Sequence, residues 1–176
     1  KHDRIPALWG DITYKPGANG TLQGGSSISQ DVQALSGGRF KASVLLDDGS
    51  SAGQEQSYTL AAIKERRLMP ETRPVNNYYR FGGWFIDTDG NGILDNGETI
   101  LPQDYRFAAS ATITAYFEEN PDAWINISFA AGSHGSIDAG PPLTLRTTFD
   151  KKWGDIPASL HSYTPETTYL VDDWSV

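Results

Sequence analysis

An internal repeat restricts the fold of this chain most, because a motif that occurs twice is expected to build two similar units. Residues 5–25, IPALWGDITYKPGANGTLQGG, align without a gap on residues 120–140, NPDAWINISFAAGSHGSIDAG. The identical pairs share one offset: Pro6 and Pro121, Trp9 and Trp124, Ile12 and Ile127, Gly17 and Gly132, Gly20 and Gly135, Gly25 and Gly140. The chain is therefore predicted to contain two modules in tandem.

A second pair of motifs indicates the lengths and bounds of the two modules. YRFGGWFI, with Tyr79 and Trp84, resembles YLVDDWSV, with Tyr169 and Trp174, at a shorter offset. The first copy therefore carries about 25 extra residues, which we place in an insertion at residues 26–58. The expected divisions are a linker or module junction at 1–10, a first module at 11–118, a linker at 119–124 and an incomplete second module at 125–176. The start without Met or a leader sequence indicates a piece of a longer protein.

Hydrophobic periodicity predicts the individual elements. The alternating stretches RFKASVLLDDG and SATITAYF indicate strands, the first of them an extra strand inside the insertion. TLAAIKERRLMP indicates a short helix, since Leu60 and Ile63 lie at helical spacing and Pro70 would end it. The dipeptide Asn19-Gly20 is typical of a two-residue hairpin turn. One helix on a mixed sheet makes an α+β fold that is mostly β.

These motifs resemble the bacterial surface repeats called internalin B-repeats, or Listeria-Bacteroides repeats. The first copy supplies ITYKPGANG, LAAIKERRLMPETRP, NNYYRFGGWFID and SATITAYFEE as counterparts of the family's opening hairpin, short helix, aromatic Gly-Trp motif and closing strand. The second copy supplies INISFAAGSHGSI, KKWGDIP and TTYLVDDW. The resemblance implies β-grasp-like modules, arrayed without catalytic activity in the extracellular part of a bacterial surface protein. The insertion and the shortened second copy depart from the family pattern.

Charge and composition restrict the partners of the chain. The net charge of −8 opposes binding to nucleic acid and to anionic membrane surfaces, because both are negatively charged. No apolar run approaches the roughly 18 to 20 residues that span a bilayer, so membrane insertion is not expected. The sequence has no cysteine, which excludes disulfides, thiolate metal sites and a cysteine nucleophile.

Residues 87–98, DTDGNGILDNGE, have the spacing of a calcium-binding loop. Calcium prefers roughly six to eight oxygen ligands, and one short acidic loop can supply them. The sharp turn inside the loop is assigned to Gly92. The expected ligands are the side chains of Asp87, Asp89 and Asn91, the backbone carbonyl of Ile93, Asp95 directly or through water, and a bidentate Glu98.

The sequence around this loop indicates a structural calcium site and not a sensor. A calcium sensor opens by moving paired helices, whereas RFGGWFI before the loop is strand-like and LPQD after it contains Pro102. We therefore expect calcium to stiffen a hairpin. The alternative is a solvated acidic turn, since DG and NG pairs are ordinary turn chemistry.

No catalytic motif is present in the sequence. His2, His134 and His161 are scattered, without a Glu or another His at metal-ligand spacing, and His134 is expected to be a turn residue. The nucleophile-elbow, zinc-protease, phosphate-loop and dinucleotide-binding patterns do not occur. The chain is therefore predicted not to be an enzyme.

The expected function is that of an extracellular spacer or adhesion module on a bacterial cell surface. Its partners would be neighbouring repeats and a host or polysaccharide ligand. The alternative is a glycan-binding accessory module of a secreted carbohydrate-active enzyme, in which the less repeated aromatics Tyr78, Tyr105 and Tyr163 would be exposed contacts. Trp84 and Trp174 recur at matching places and are expected to fill cores instead.

Overall fold

A computed structural model describes residues 3–23, 31–50, 57–138, 143–160 and 162–168. The chain divides into two compact units, unit 1 at Lys1–Glu119 and unit 2 at Asn120–Val176. Strands predominate in the described residues of both units, and the single α-helix found there is short and lies in unit 1. This agrees with the expected α+β class that is mostly β.

Unit 1 is built on a five-stranded mixed sheet with the strand order β3-β4-β1-β7-β6. The central strands β1 and β7 are parallel, and the other neighbours in this sheet are antiparallel. A separate antiparallel pair joins β2 and β5. The elements are β1 (Trp9–Lys15), β2 (Gly20–Gln23), β3 (Val32–Leu35), β4 (Arg39–Leu45), α1 (Leu60–Glu65), β5 (Glu71–Pro74), β6 (Tyr79–Phe85) and β7 (Ala111–Glu119).

The core of unit 1 lies between one face of this sheet and α1. Thr59 caps α1, because its Oγ1 accepts a hydrogen bond from the Ala62 N–H at 3.1 Å. The helix then buries Leu60 and Ile63 against the sheet, which confirms the predicted helix. Along β4 and β7, every second residue points to the core and is buried: Phe40, Ala42, Val44, Ile113, Ala115 and Phe117. This alternation confirms both predicted strands. Trp84 is also buried in this core, as expected.

The turn at Asn19 and Gly20 does not make the predicted hairpin. Asn19 has the left-handed φ of 65° that suits a turn, but β1 pairs with β4 and β7, while β2 pairs with β5. The hairpin prediction is wrong because two longer strands occupy both edges of β1. The turn carries the chain from the central sheet to the β2–β5 pair instead.

Tyr14 on β1 is fully buried, and within the described residues its hydroxyl has no hydrogen-bond partner. Burial raises the pKa of Tyr14 above its ordinary value of 10.0. A buried hydroxyl without a partner costs about 1 to 3 kcal/mol, because it loses its bonds to water. Removing this hydroxyl should therefore stabilise unit 1.

We expect Tyr14→Phe to raise the free energy of unfolding by about 1 kcal/mol, measured by urea denaturation at pH 7. Because the pKa of Tyr14 is higher in the folded state, the wild type should also lose stability as the pH rises above 10. The variant should lose less over the same range. A variant less stable than the wild type at pH 7 would contradict this account.

The described residues of unit 2 form two antiparallel strand pairs and a small core. β8 pairs with β10, and β9 pairs with β11. The core is formed by Phe129, Ile137 and Ile156, and the short 3₁₀ helices Trp153–Asp155 and Ala158–Leu160 follow β10. The strands are β8 (Trp124–Phe129), β9 (Gly135–Ile137), β10 (Leu143–Thr148) and β11 (Tyr163–Pro165).

The strand pairings of unit 2 occur at positions that align with those of unit 1. β8 pairs with β10 as β1 pairs with β4. Gly20 pairs with Pro74 in unit 1, and the aligned Gly135 pairs with Pro165 in unit 2. A 3₁₀ helix, Pro6–Leu8 or Pro121–Ala123, leads into the first strand of each unit, and the backbone N–H of the following Trp donates to the carbonyl of its Pro.

The observed elements cover parts of the predicted insertion at 26–58 and of the predicted linkers at 1–10 and 119–124. β4, which was predicted to be an extra strand inside the insertion, pairs with β1 and with β3, while β10 pairs with β8. The insertion itself stays a prediction. Residues 119–124 end β7, form a 3₁₀ helix and begin β8, and residues 9 and 10 already belong to β1. The motif YLVDDWSV lies outside the described residues.

Asp138 fastens the β9–β11 pair. Its carboxylate accepts hydrogen bonds from the hydroxyls of Ser162 and Thr164, the latter at 2.7 Å. The bond from Ser162, followed by that from Thr164, lowers the pKa of Asp138 below its ordinary value of 3.8. The folded state therefore favours the ionised carboxylate, and this contribution to stability is lost as the pH falls below about 4.

We expect hydrogen-exchange protection of the β9 amides to fall between pH 5 and pH 3 in the wild type. Asp138→Asn removes the titrating group, so its protection should be lower at pH 5 and should change less with pH. Asp122→Asn makes the same chemical change at an exposed site of unit 2 and should follow the wild type. Equal pH profiles for the wild type and Asp138→Asn would refute the assignment.

Candidate functional site

The acidic loop at residues 87–98 forms the first part of the connection between the edge strand β6 and the central strand β7. The residues before and after the loop contact each other at the end of β6. Phe85 forms an isolated antiparallel bridge with Ile100, and the Leu101 N–H donates to the carbonyl of Trp84 at 2.7 Å. Leu101 is itself buried in the core of unit 1. The loop is therefore anchored to the sheet at its base. Of its clustered acids, Asp89 is exposed, while Asp87 and Glu98 are half-buried.

Three of the predicted ligands come together in the loop. Each of Asp87, Asp89 and Glu98 offers a carboxylate oxygen, and these oxygens lie within 4.8 Å of one another. Such a group of acids could hold a metal ion. All three donors are hard oxygens, with no nitrogen or sulfur among them, which favours a hard cation.

Asp87 is a predicted ligand whose carboxylate is held by both the loop and the sheet. Its Oδ1 accepts the N–H of Gly90 at 2.6 Å and its Oδ2 accepts the N–H of Gly92 at 2.9 Å. The hydroxyl of Thr114, which is fully buried on β7, lies 3.4 Å from the same Oδ2. The first residue of the loop is therefore oriented both by the loop backbone and by the central sheet.

Glu98 closes the loop from its other end. Its Oε1 accepts the backbone N–H of Thr88 at 2.7 Å and the Thr88 hydroxyl at 2.9 Å, and its Oε2 accepts the N–H of Asp95 at 3.1 Å. The backbone bonds from Thr88 and Asp95 lower the pKa of Glu98, although the charge of Asp87 opposes the shift. The carboxylate is therefore held in its ionised form, which is the form that binds cations.

The remaining predicted ligands form a hydrogen-bonded chain beside this group. The Asn91 amide nitrogen donates to Asp89 at 2.9 Å and to Asp95 at 2.6 Å, while its oxygen accepts the N–H of Ile93 at 2.7 Å. Asp95 is thus joined to the three acids through Asn91. The roles of Asn91, Ile93 and Asp95 as ligands remain predictions.

The loop also contacts the turn between β1 and β2, which sequence reasoning missed. The Ala18 N–H donates to the carbonyl of Gly92 at 2.9 Å. Gly17 makes this approach possible, because a Cβ at that position would lie 2.0 Å from the carbonyl oxygen of Ala115 and 3.1 Å from that of Gly92. The repeated glycine in both copies was the available signal, but it was interpreted as part of a hairpin.

The aromatic residues predicted to be exposed are not equally accessible. Tyr78 and Tyr105 are half-buried, and the ring of Tyr105 lies 5.0 Å from that of Phe107, which is buried in the core. Tyr163 on β11 is exposed. His134 lies in a turn, as predicted, and its Nδ1 is 3.5 Å from the carboxylate of Glu166.

No protein-family model, curated protein or solved structure matches this chain. Among the described residues, no helix is both long and apolar enough to cross a membrane.

Proposed function

We propose that the chain is a non-catalytic extracellular module of a bacterial surface protein, in which a calcium ion stiffens the acidic loop of unit 1. One observation carries the proposal: an acidic loop that groups Asp87, Asp89 and Glu98 is fastened to Thr114 on the central sheet and to Ala18 in the β1–β2 turn. An ion bound there would join three parts of unit 1. Its role would be mechanical, as suits a spacer or an adhesion module.

A β-grasp-like description of unit 1 is part of this proposal. In chain order, the pair β1 and β4 is followed by α1 and then by the pair β6 and β7. The two pairs meet through the parallel contact of β1 with β7, and α1 packs on one face. The matched strand pairings of unit 2 support the further proposal that the units are copies of one module.

Calcium is the proposed ion because of the number and arrangement of oxygen donors. Asp87, Asp89, Asn91, the Ile93 carbonyl, Asp95 and a bidentate Glu98 would together supply the roughly six to eight oxygens that calcium takes. Magnesium demands near-ideal octahedral geometry and keeps more of its water. A switch is not proposed, because strands β6 and β7 flank the loop instead of the paired helices of a calcium sensor.

Titration calorimetry tests the identity of the ion. We expect one calcium site per chain with a dissociation constant on the order of 10⁻⁴ M, as in extracellular modules, and magnesium binding at least about tenfold weaker because of its stricter geometry. Glu98→Gln preserves the side-chain volume but removes the bidentate carboxylate, so it should weaken calcium binding strongly. Asp104→Asn, at an exposed acid outside the loop, serves as the matched control. Calcium binding that survives Glu98→Gln unchanged would refute the site.

Glycan binding by unit 2 is a second candidate function. Phe149, Trp153 and Tyr163 are all exposed in this unit, and aromatic rings of this kind can stack on sugars. A glycan array tests the candidate with the wild type and with Tyr163→Ala. Strong binding that depends on Tyr163 would favour an accessory module of a carbohydrate-active enzyme over a spacer. The absence of binding across the array would leave the spacer proposal preferred.

A further inference from the structure

The strand β6 is an edge of the central sheet of unit 1. On one side it pairs with β7. On the other side, Ile100 and Leu101 cover its C-terminal end through contacts with Phe85 and Trp84, and the side chain of Ile100 also lies close to Gly83. Within the described residues, no strand pairs with the outer side of Tyr79 to Gly83. This stretch therefore presents backbone groups that another extended chain could pair with.

A cleft of about 320 Å³ opens beside this edge. Its apolar lining comes from α1, from the segment before β5 and from β6: Leu60, Met69, Pro70, Phe81 and Trp84. Its polar lining is formed by Lys64, Glu71, Thr72 and Gln103. Phe81 is 39% exposed, although its ring makes edge-to-face contacts with Trp84 and Phe117. The cleft thus offers an apolar surface next to unpaired backbone.

The size of the cleft restricts what it can hold. Pockets for drug-sized ligands range from about 300 to 1,000 Å³, so this cleft lies at the lower limit. A single large side chain fits this volume better than an oligosaccharide does. A peptide that pairs with an edge strand places alternate side chains on one face, and one of them can enter such a cleft.

The charges at the rim favour an acidic group on the ligand. Lys64 is exposed in the last turn of α1, and no ion pair of Lys64 occurs among the described residues. Glu71, the acid of the cleft, lies 3.5 Å from Arg73, so its charge is balanced by a neighbour. Lys64 is therefore the charge to which a ligand would respond.

We propose that unit 1 binds an extended peptide, which adds as a strand to the outer side of β6, inserts one apolar side chain over Phe81, and places an acidic side chain near Lys64. This interaction surface is separate from the acidic loop and does not depend on calcium. The proposed partner is an unfolded or extended segment with an apolar and an acidic residue two positions apart, since residues at that spacing share one face of a strand.

A panel of N-acetylated octapeptides tests the proposal against the isotopically labelled full chain by nuclear magnetic resonance. The probes alternate Ser and Thr around one Leu, Ile or Phe, with Glu or Lys two residues away. We expect the Glu peptides to bind and to slow amide exchange within Tyr79 to Gly83. N-methylation of the peptide backbone on the pairing edge should weaken binding at least about tenfold, because it removes the strand hydrogen bonds.

Two variants locate the peptide. Phe81→Ala should weaken binding about tenfold, as expected for an aromatic anchor. Lys64→Glu should reverse the preference, so that Lys peptides bind about fivefold more tightly than Glu peptides. Lys151→Glu, an exposed charge reversal in unit 2, should change neither result. Spectra of the free variants check that they are folded.

Three results would overturn the proposal. The first is no binding by any peptide of the panel at millimolar concentration, and the second is equal binding by the N-methylated probes. The third is a different occupant of the same surface. Phe81-dependent binding of a saccharide, or a Phe81-dependent dimer of the chain in sedimentation, would assign the cleft to that occupant instead.

Discussion

Removal of calcium is expected to lower the midpoint of thermal unfolding of unit 1 by about 6 °C. A site with a dissociation constant on the order of 10⁻⁴ M stabilises the folded state by about 1.4 kcal/mol in 1 mM calcium. For a domain of this size, each kcal/mol corresponds to roughly 4 °C. Differential scanning calorimetry in 1 mM calcium chloride and in excess chelator measures the shift.

The physical reason lies in the repulsion among the acids of the loop. Asp87, Asp89 and Glu98 place carboxylate oxygens within 4.8 Å of one another, and the hydrogen bonds that lower the pKa of Glu98 keep that group charged. A divalent cation replaces this repulsion with attraction. It also strengthens the connection between β7 and the β1–β2 turn, which both contact the loop.

Asp87→Ala should abolish the calcium-dependent shift of the midpoint. The variant also loses the hydrogen bonds from Gly90 and Gly92, so the shift between calcium and chelator is the decisive quantity, and not the absolute midpoint. Asp104→Ala removes a charge outside the loop and should preserve the full shift. A wild-type midpoint that is the same in millimolar calcium and in chelator would end the calcium proposal.

The substitution Gly17→Ala should destabilise unit 1 by about 3 kcal/mol, measured by urea denaturation. The added Cβ would lie 2.0 Å from the carbonyl oxygen of Ala115, which belongs to the backbone of a central strand and cannot rotate away. Either β7 or the β1–β2 turn must therefore move. This cost arises from overpacking and not from backbone conformation.

The aligned glycine of the second copy supplies a matched control. A Cβ at Gly132 would meet nothing within 4 Å among the described residues, so Gly132→Ala should change the free energy of unfolding by no more than about 0.5 kcal/mol. The same chemical change should therefore lower the free energy of unfolding at Gly17 and leave it nearly unchanged at Gly132. Equal effects of the two substitutions would show that the contact of Gly17 with Ala115 has no energetic importance.

Gly17→Ala should also weaken calcium binding. Ala18 follows Gly17 directly, and its N–H donates to Gly92 inside the acidic loop. A shift of the turn would break this bond and loosen the loop. Calorimetric titration of the folded variant should give a larger dissociation constant than the wild type. An unchanged constant would mean that the turn supports the sheet alone.

Local patterns in the sequence were sufficient to predict several elements. The alternation of Phe40, Ala42 and Val44 identified β4, and the spacing of Leu60 and Ile63 identified α1. These predictions succeeded because strand and helix periodicities depend on which face of a single element is buried. The acids of the loop were recognised in the same way, since ligand spacing along a short loop is a local property.

Pairing between distant strands was not predictable from these patterns. The sequence could not reveal that β7 lies between β1 and β6, or that β10 pairs with β8. The Asn19-Gly20 dipeptide led to the wrong hairpin because turn chemistry specifies the conformation of the turn but not the partner of the strand that follows. The partner of β2 depends on which strand edges are free, and both edges of β1 are already paired with β4 and β7.

The sequence by itself determined the mostly β class and the acidic residues of the loop, because both depend on residue types and their spacing along the chain. The repeat of two modules stays a prediction. Only the tertiary structure decided what the loop is attached to. Thr114 and Ala18 lie far from Asp87 and Gly92 along the chain, yet they contact them across the sheet. The same contacts explain Gly17, since space for a side chain is removed by a strand nearly one hundred residues away.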